Sequence, residues 1–77
     1  MTTPTTKIVE DREPKLAELQ AAVGGWIEVE PLPGGDMMVV NEDGMRLDLD
    51  QNYEATQIAA QPIRGNVVVL KGDARLT

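Results

Sequence analysis

The chain has 77 residues, a formal charge of −6, and neither cysteine nor histidine. Disulfides, thiolate or imidazole metal sites and Cys–His nucleophile pairs are therefore excluded, and the absence of serine removes Ser–His pairs as well. The hydroxyl nucleophiles are six threonines, four of them within the first six residues, and Tyr53. Carboxylate pairs could still do acid–base work, but the sequence marks out none. The composition predicts a protein that is not an enzyme, with no catalytic residue, no metal and no cofactor.

A chain this short forms one domain and buries only about 60% of the surface its unfolded form exposes. Without disulfides or a structural metal, self-association is the remaining support, so a homo-oligomer, a dimer or higher, is expected. Charge is unevenly spread. Residues 10–60 carry twelve acidic groups against Arg12, Lys15 and Arg46, whereas residues 61–77 carry Arg64, Lys71 and Arg75 against Asp73. Such an acidic body argues against direct nucleic-acid binding, which needs Lys and Arg to neutralise phosphates. The polar start lacks a signal-peptide pattern, and the longest apolar run, Val67 to Leu70, is too short to span a bilayer. A cytoplasmic protein without membrane contact is expected.

Along the chain, residues 1–6 read as a flexible Thr/Pro-rich tail, and 7–10 as a candidate short edge strand. Pro14 suits a first helical turn. Leu16, Leu19 and Val23 make one apolar stripe, and Gly24-Gly25 stops the helix, which predicts a main helix over 14–23. From 26 to 32, Trp26, Glu28 and Glu30 alternate with Ile27 and Val29 as in a half-buried strand. A turn at 33–36 leads to a strand over 37–41. Met45, Leu47 and Leu49 alternate with polar residues and predict a third strand of an antiparallel meander over 26–49. Asn52 or Asp50 can cap a short second helix at about 53–60. Val67 to Leu70 is a continuous apolar run, expected to be buried on both faces, inside the sheet or at a subunit interface. The fold class is α+β: a small, largely antiparallel sheet of four to five strands with one main helix and a short second one. The domain spans 7–72, and 73–77 form a C-terminal tail.

Val23-Gly24-Gly25-Trp26-Ile27-Glu28-Val29-Glu30-Pro31-Leu32 is followed by Val40-Asn41-Glu42-Asp43-Gly44, by Asn52-x-x-Ala55-Thr56, and by Ile63-x-Gly65-Asn66-Val67-Val68-Val69. In this order the segments resemble a family of small proteins of unknown function found in bacteriophages, plasmids and actinobacterial genomes. The resemblance covers about residues 14–71. It implies a mobile-element accessory protein with a role in host takeover or in countering host defence, acting in the host cytoplasm if phage-encoded. It carries no catalytic residues.

Several residues are candidates for binding. Asp48-x-Asp50-x-Asn52 imitates the start of a calcium loop, but Tyr53 stands where glycine belongs and Ala59 where glutamate belongs, so a strand end and helix cap are favoured. Trp26 either packs on the helix as the main core aromatic or anchors an interface on the face it shares with Glu28 and Glu30, a face that could meet a basic host protein. Val67, Val68 and Val69 are separate interface candidates. Arg64, Tyr53, Thr56, Asn52 and Arg46 could converge on a small anion such as a signalling nucleotide, though capping and turn formation would account for the same residue types. Two functions follow: a binding protein that sequesters a small anionic ligand, or an acidic inhibitor or nucleic-acid mimic that acts on a host protein.

Overall fold

The computed structural model of the chain describes residues 3–72 and residue 74. Its elements are β1 (Thr6–Glu10), α1 (Leu16–Val23), β2 (Ile27–Pro31), β3 (Met37–Asn41), α2 (Tyr53–Ala59) and β4 (Val67–Lys71). The four strands form one mixed sheet in the order β1-β4-β3-β2. β2 pairs antiparallel with β3, and β3 antiparallel with β4, while β1 lies parallel to β4 with Thr6 beside Val67. The α+β class stands, with a mixed sheet in which one of three pairings is parallel.

β4 sets the architecture. Val67, Val68, Val69 and Leu70 are all buried within this single chain. Side chains alternate across a strand, so such a run must be covered on both faces. On one face α1 lays Leu19 and Val23 over Val9, Val39, Val68 and Leu70, with Ala74 closing the same cluster. On the other face Ala55 of α2, Leu32 and Ile63 cover Met38, Val40, Val67 and Val69. Each large apolar side chain so buried is worth roughly 1.5–3 kcal/mol, so this strand contributes substantially to stability. The three valines cannot line an interface, because they are 1% exposed each and already packed. The apolar run that could have lain at a subunit interface is covered by α1 on one face and by Leu32, Ala55 and Ile63 on the other.

α1 begins two residues after the expected start. Pro14 lies ahead of it, and Lys15 is the extended N-cap, with no side-chain cap. It ends as expected, with Gly24 left-handed at φ 81° and its N–H donating to the Gln20 carbonyl at 2.9 Å. Arg12 binds both carboxylate oxygens of Glu18, which holds the end of β1 against α1. That pairing keeps the Glu18 carboxyl down at about 2.

The strand expected over 45–49 does not form. Asn41 Oδ1 accepts the Asp43 N–H at 2.8 Å, and the Leu47 and Leu49 N–H groups then donate to the Asp43 and Gly44 carbonyls. These local bonds wind the segment into tight turns, with Asp48 left-handed at φ 52°. The alternation of Met45 and Leu47 does not reflect a buried face, since both side chains are exposed.

The expected tails also move. β1 starts at Thr6, the Thr5 N–H donates to Asn66 Oδ1, and the Thr5 carbonyl accepts from the Val67 N–H. Ala74, assigned to the C-terminal tail, is buried, while 73 and 75–77 lie outside the described residues.

Asn52 holds these parts together. It is 2% exposed, and its Oδ1 caps α2 by accepting the Ala55 N–H at 3.0 Å. Its Nδ2 donates to the Gly65 carbonyl at 3.0 Å, and to the Thr5 carbonyl and Thr6 Oγ1 at 3.3 Å each. Asn52→Asp keeps the cap but loses every donor and sets a carboxylate against two carbonyls. It should cost about 2–3 kcal/mol, the penalty for unsatisfied buried groups, in urea unfolding at neutral pH. A change below about 0.5 kcal/mol, the scale of ordinary surface substitutions, would show that the junction is not held by this amide.

Candidate functional site

The residues expected to bind an anion do not converge. Asn52 is the buried junction just described. Thr56 is structural as well: its Oγ1 accepts the Ile63 N–H at 3.0 Å and donates to the Ile63 carbonyl at 3.4 Å. Tyr53 is 72% exposed on the outer side of α2. Arg46 turns back on Asp43 within the 42–48 turns, in an exposed pair at 3.1 Å. Arg64 donates through Nη1 to the Leu49 carbonyl at 3.0 Å and to Asp48 Oδ1 at 3.2 Å. Gly65, left-handed at φ 80°, is approached by Leu49 rather than by a ligand. A Cβ there would lie 2.8 Å from Leu49 Cδ1.

A groove of about 190 Å³ lies instead between the outer strand β2, the end of β3 and the 61–64 segment. Val40 and Ile63 form its apolar floor, with Met45 beside them. Its rim carries Glu28, Glu30 and Glu42 and, as the single cation among the described residues there, Arg64. The strand register explains the acidic side. Glu28 stands opposite Val40, and Glu30 opposite Met38, so both carboxylates project on the face covered by α2, just beyond its apolar cluster. Trp26 has the same parity, and its carbonyl accepts the Glu42 N–H at 2.9 Å. At 67% exposure it is not the core aromatic.

The 61–64 segment reaches this edge because its backbone is tied to residues 50–52. The Asn52 N–H donates to the Ile63 carbonyl, and the Gly65 N–H to the Asp50 carbonyl, each at 2.8 Å. Gln61 Nε2 then donates to Glu30 Oε2 at 3.3 Å. A hydrogen bond shared with Glu30, then partial dehydration, then the negative charges of Glu30 and Glu42 hold the Glu28 carboxyl above the usual carboxylate range. A cation placed beside it would favour the ionised form. Chemically, the groove suits a positive group on an apolar stem, such as the end of a lysine or arginine side chain.

Among the described residues no group of three or more acidic side chains is arranged to hold a metal ion. No helix among them is long and apolar enough to cross a membrane. A second crease of about 220 Å³ is lined by Pro4, Val23, Leu49, Asp50, Gly65 and Asn66, with no cationic side chain among the described residues. Of the five residues expected to converge on an anion, only Arg64 lines the acidic groove. The Trp26/Glu28/Glu30 alternation was the signal that pointed to it. Glu42, Met45 and Gln61 come to it only through long-range packing.

The bonds of Arg64 make it a structural residue. Arg64→Ala should lower stability by about 1 kcal/mol, since an exposed ion pair adds little and the carbonyl bond most of it. Thermal unfolding checks this. An unchanged melting temperature would free Arg64 for a ligand.

A family model described as a domain of unknown function (DUF3846) matches residues 1–76. No curated protein and no solved structure matches the chain. The chain belongs to this DUF3846 family of small domains of unknown function.

Proposed function

We propose that this domain is a non-enzymatic binding module whose acidic groove takes the basic side chains of a protein partner. The observation that carries the reading is the rim of Glu28, Glu30 and Glu42 around the Val40/Ile63 floor, where the neighbouring carboxylates raise the Glu28 carboxyl. A cationic side chain entering there relieves the repulsion among three carboxylates and lays its methylene stem on apolar surface. Exposed Trp26 on the same face supplies an aromatic anchor at the edge of the patch. The net charge of −6 favours encounter with a basic partner over long range.

A nucleotide-like anion is the weaker reading. It would meet three carboxylates, and Arg64, the one cation at the groove among the described residues, is engaged by Asp48 and the Leu49 carbonyl. Inhibition of a basic host protein, as an accessory protein of a mobile element, is the biological form this binding would take.

The test is a titration of the labelled protein with tetralysine and, separately, with a nucleoside triphosphate. Tetralysine should shift the amides of Glu28, Glu30, Glu42 and Gly44, and the Glu28→Gln/Glu30→Gln double variant should bind at least about tenfold more weakly, the loss of one good ion pair. Shifts produced by the triphosphate alone, or tetralysine binding that ignores the double variant, would reject the groove as a cation site.

A further inference from the structure

Among the described residues β2 ends the sheet and pairs on one side only, with β3. Two bonds that flank the ladder fix which of its backbone groups are used. The Glu42 N–H donates to the Trp26 carbonyl, and the Leu32 N–H donates to the Asp36 carbonyl. Both pairs continue the register in which Glu28 faces Val40 and Glu30 faces Met38. In an antiparallel ladder hydrogen-bonded and non-bonded pairs alternate, so Trp26, Glu28, Glu30 and Leu32 bond inward to β3. The backbone groups of Ile27 and Val29 therefore point outward from the sheet. Pro31 falls on the outward set as well, where its missing N–H costs the ladder nothing.

The free edge thus offers the N–H and carbonyl of Ile27 and of Val29, and then the carbonyl of Pro31. Side chains alternate along it. Glu28 and Glu30 stand on the groove face, while Ile27 and Val29 stand on the opposite face, where Ile27 packs against the α1 cluster. A strand added here would set its own side chains in the same alternation, one set beside the two carboxylates and the other beside Ile27 and Val29.

We infer that the partner adds a basic strand to the β2 edge, with lysine or arginine at the two positions opposite Glu28 and Glu30 and apolar residues opposite Ile27 and Val29. This rests on the cation-binding reading of the groove and adds to it a backbone geometry and a sequence pattern. Charge decides the occupant. A second copy pairing β2 with β2 would bring its own Glu28 and Glu30 against these two, and like charges facing each other across strands are destabilising. A basic alternating segment converts the same four positions to opposite-charge pairs. Pro31 and the two carboxylates also blunt the edge against unspecific sheet extension, so only a segment of matching pattern gains from pairing.

The experiment uses the full chain and two peptides with the core Lys-Val-Lys-Val between flanking serines, one unmodified and one N-methylated at both valines. The two carry the same charge, but the second lacks the N–H groups that would reach the Val29 and Ile27 carbonyls. The unmodified peptide should bind and slow hydrogen exchange at the Ile27 and Val29 amides, and N-methylation should weaken binding at least about tenfold, the effect of one or two lost backbone hydrogen bonds. Equal binding of the two peptides, still lost in Glu28→Gln/Glu30→Gln, overturns strand addition and leaves the cation groove standing. Binding of neither peptide, or binding indifferent to the double variant, overturns both. Protection of the same two amides that rises with protein concentration in the absence of peptide assigns the edge to a second copy and overturns the proposal.

Discussion

Four consecutive apolar residues in β4 have to be kept from water on both sides of a sheet, in a chain of only 77 residues with no disulfide. A single helix could cover one face. The second face is closed by Leu32 and by Ala55, Ala59 and Ile63 from the stretch between 42 and 66, which contains a short helix, several turns and little regular structure. That stretch carries many backbone polar groups into a region next to the core, and each needs a partner. The structure meets this need locally. The 42–48 turns bond among themselves, and residues 50–52 bond to 63–65. Among the described residues no buried side-chain nitrogen or oxygen is left without a partner.

Asn52 shows how tightly the second layer is coupled to the sheet. One amide caps α2, holds the loop before β4 and reaches the start of β1. An asparagine can do this because its side chain both accepts and donates, which neither aspartate nor serine reproduces in the same geometry. The parallel placement of β1 follows from the same junction. Its first residues are held beside the start of β4 by Asn52 and Asn66, and the strand then runs with β4 along its whole length.

Much of this fold was legible in the residues. Gly24-Gly25 after an apolar stripe marked the end of α1, alternation marked β2, and the unbroken apolar run marked β4 as buried on both faces. What covers β4 was not legible, because an apolar run reads the same beside a helix, a turn layer or a second subunit. The 45–49 segment misled for a physical reason. Its alternation has the period of a strand, yet the bond that decides its conformation comes from Asn41, whose amide captures the chain at Asp43 before a strand can start. The site was legible only in part. Trp26, Glu28 and Glu30 announced a shared face, but the groove needs Ile63 and Gln61, more than thirty residues away. The residues that suggested an anion site, Asn52, Thr56 and Arg64, serve the backbone instead, which is the commoner use of such side chains in loops and at helix starts.

The functional account rests on charge placed where the sheet is open. Glu28 and Glu30 sit at the rim of the core, on an edge strand with outward backbone groups and near an exposed tryptophan, and their closeness disfavours ionisation of Glu28. A cation should reverse that balance, and by linkage its binding and the ionisation of Glu28 must favour each other. Following the Glu28 side-chain carboxyl by carbon-detected NMR across acid pH, with and without the Lys-Val-Lys-Val peptide, tests this directly. The account predicts a value above the usual glutamate range in the free protein that falls when the peptide is bound. A Glu28 carboxyl that titrates normally in the free protein and does not move when peptide is added would contradict it.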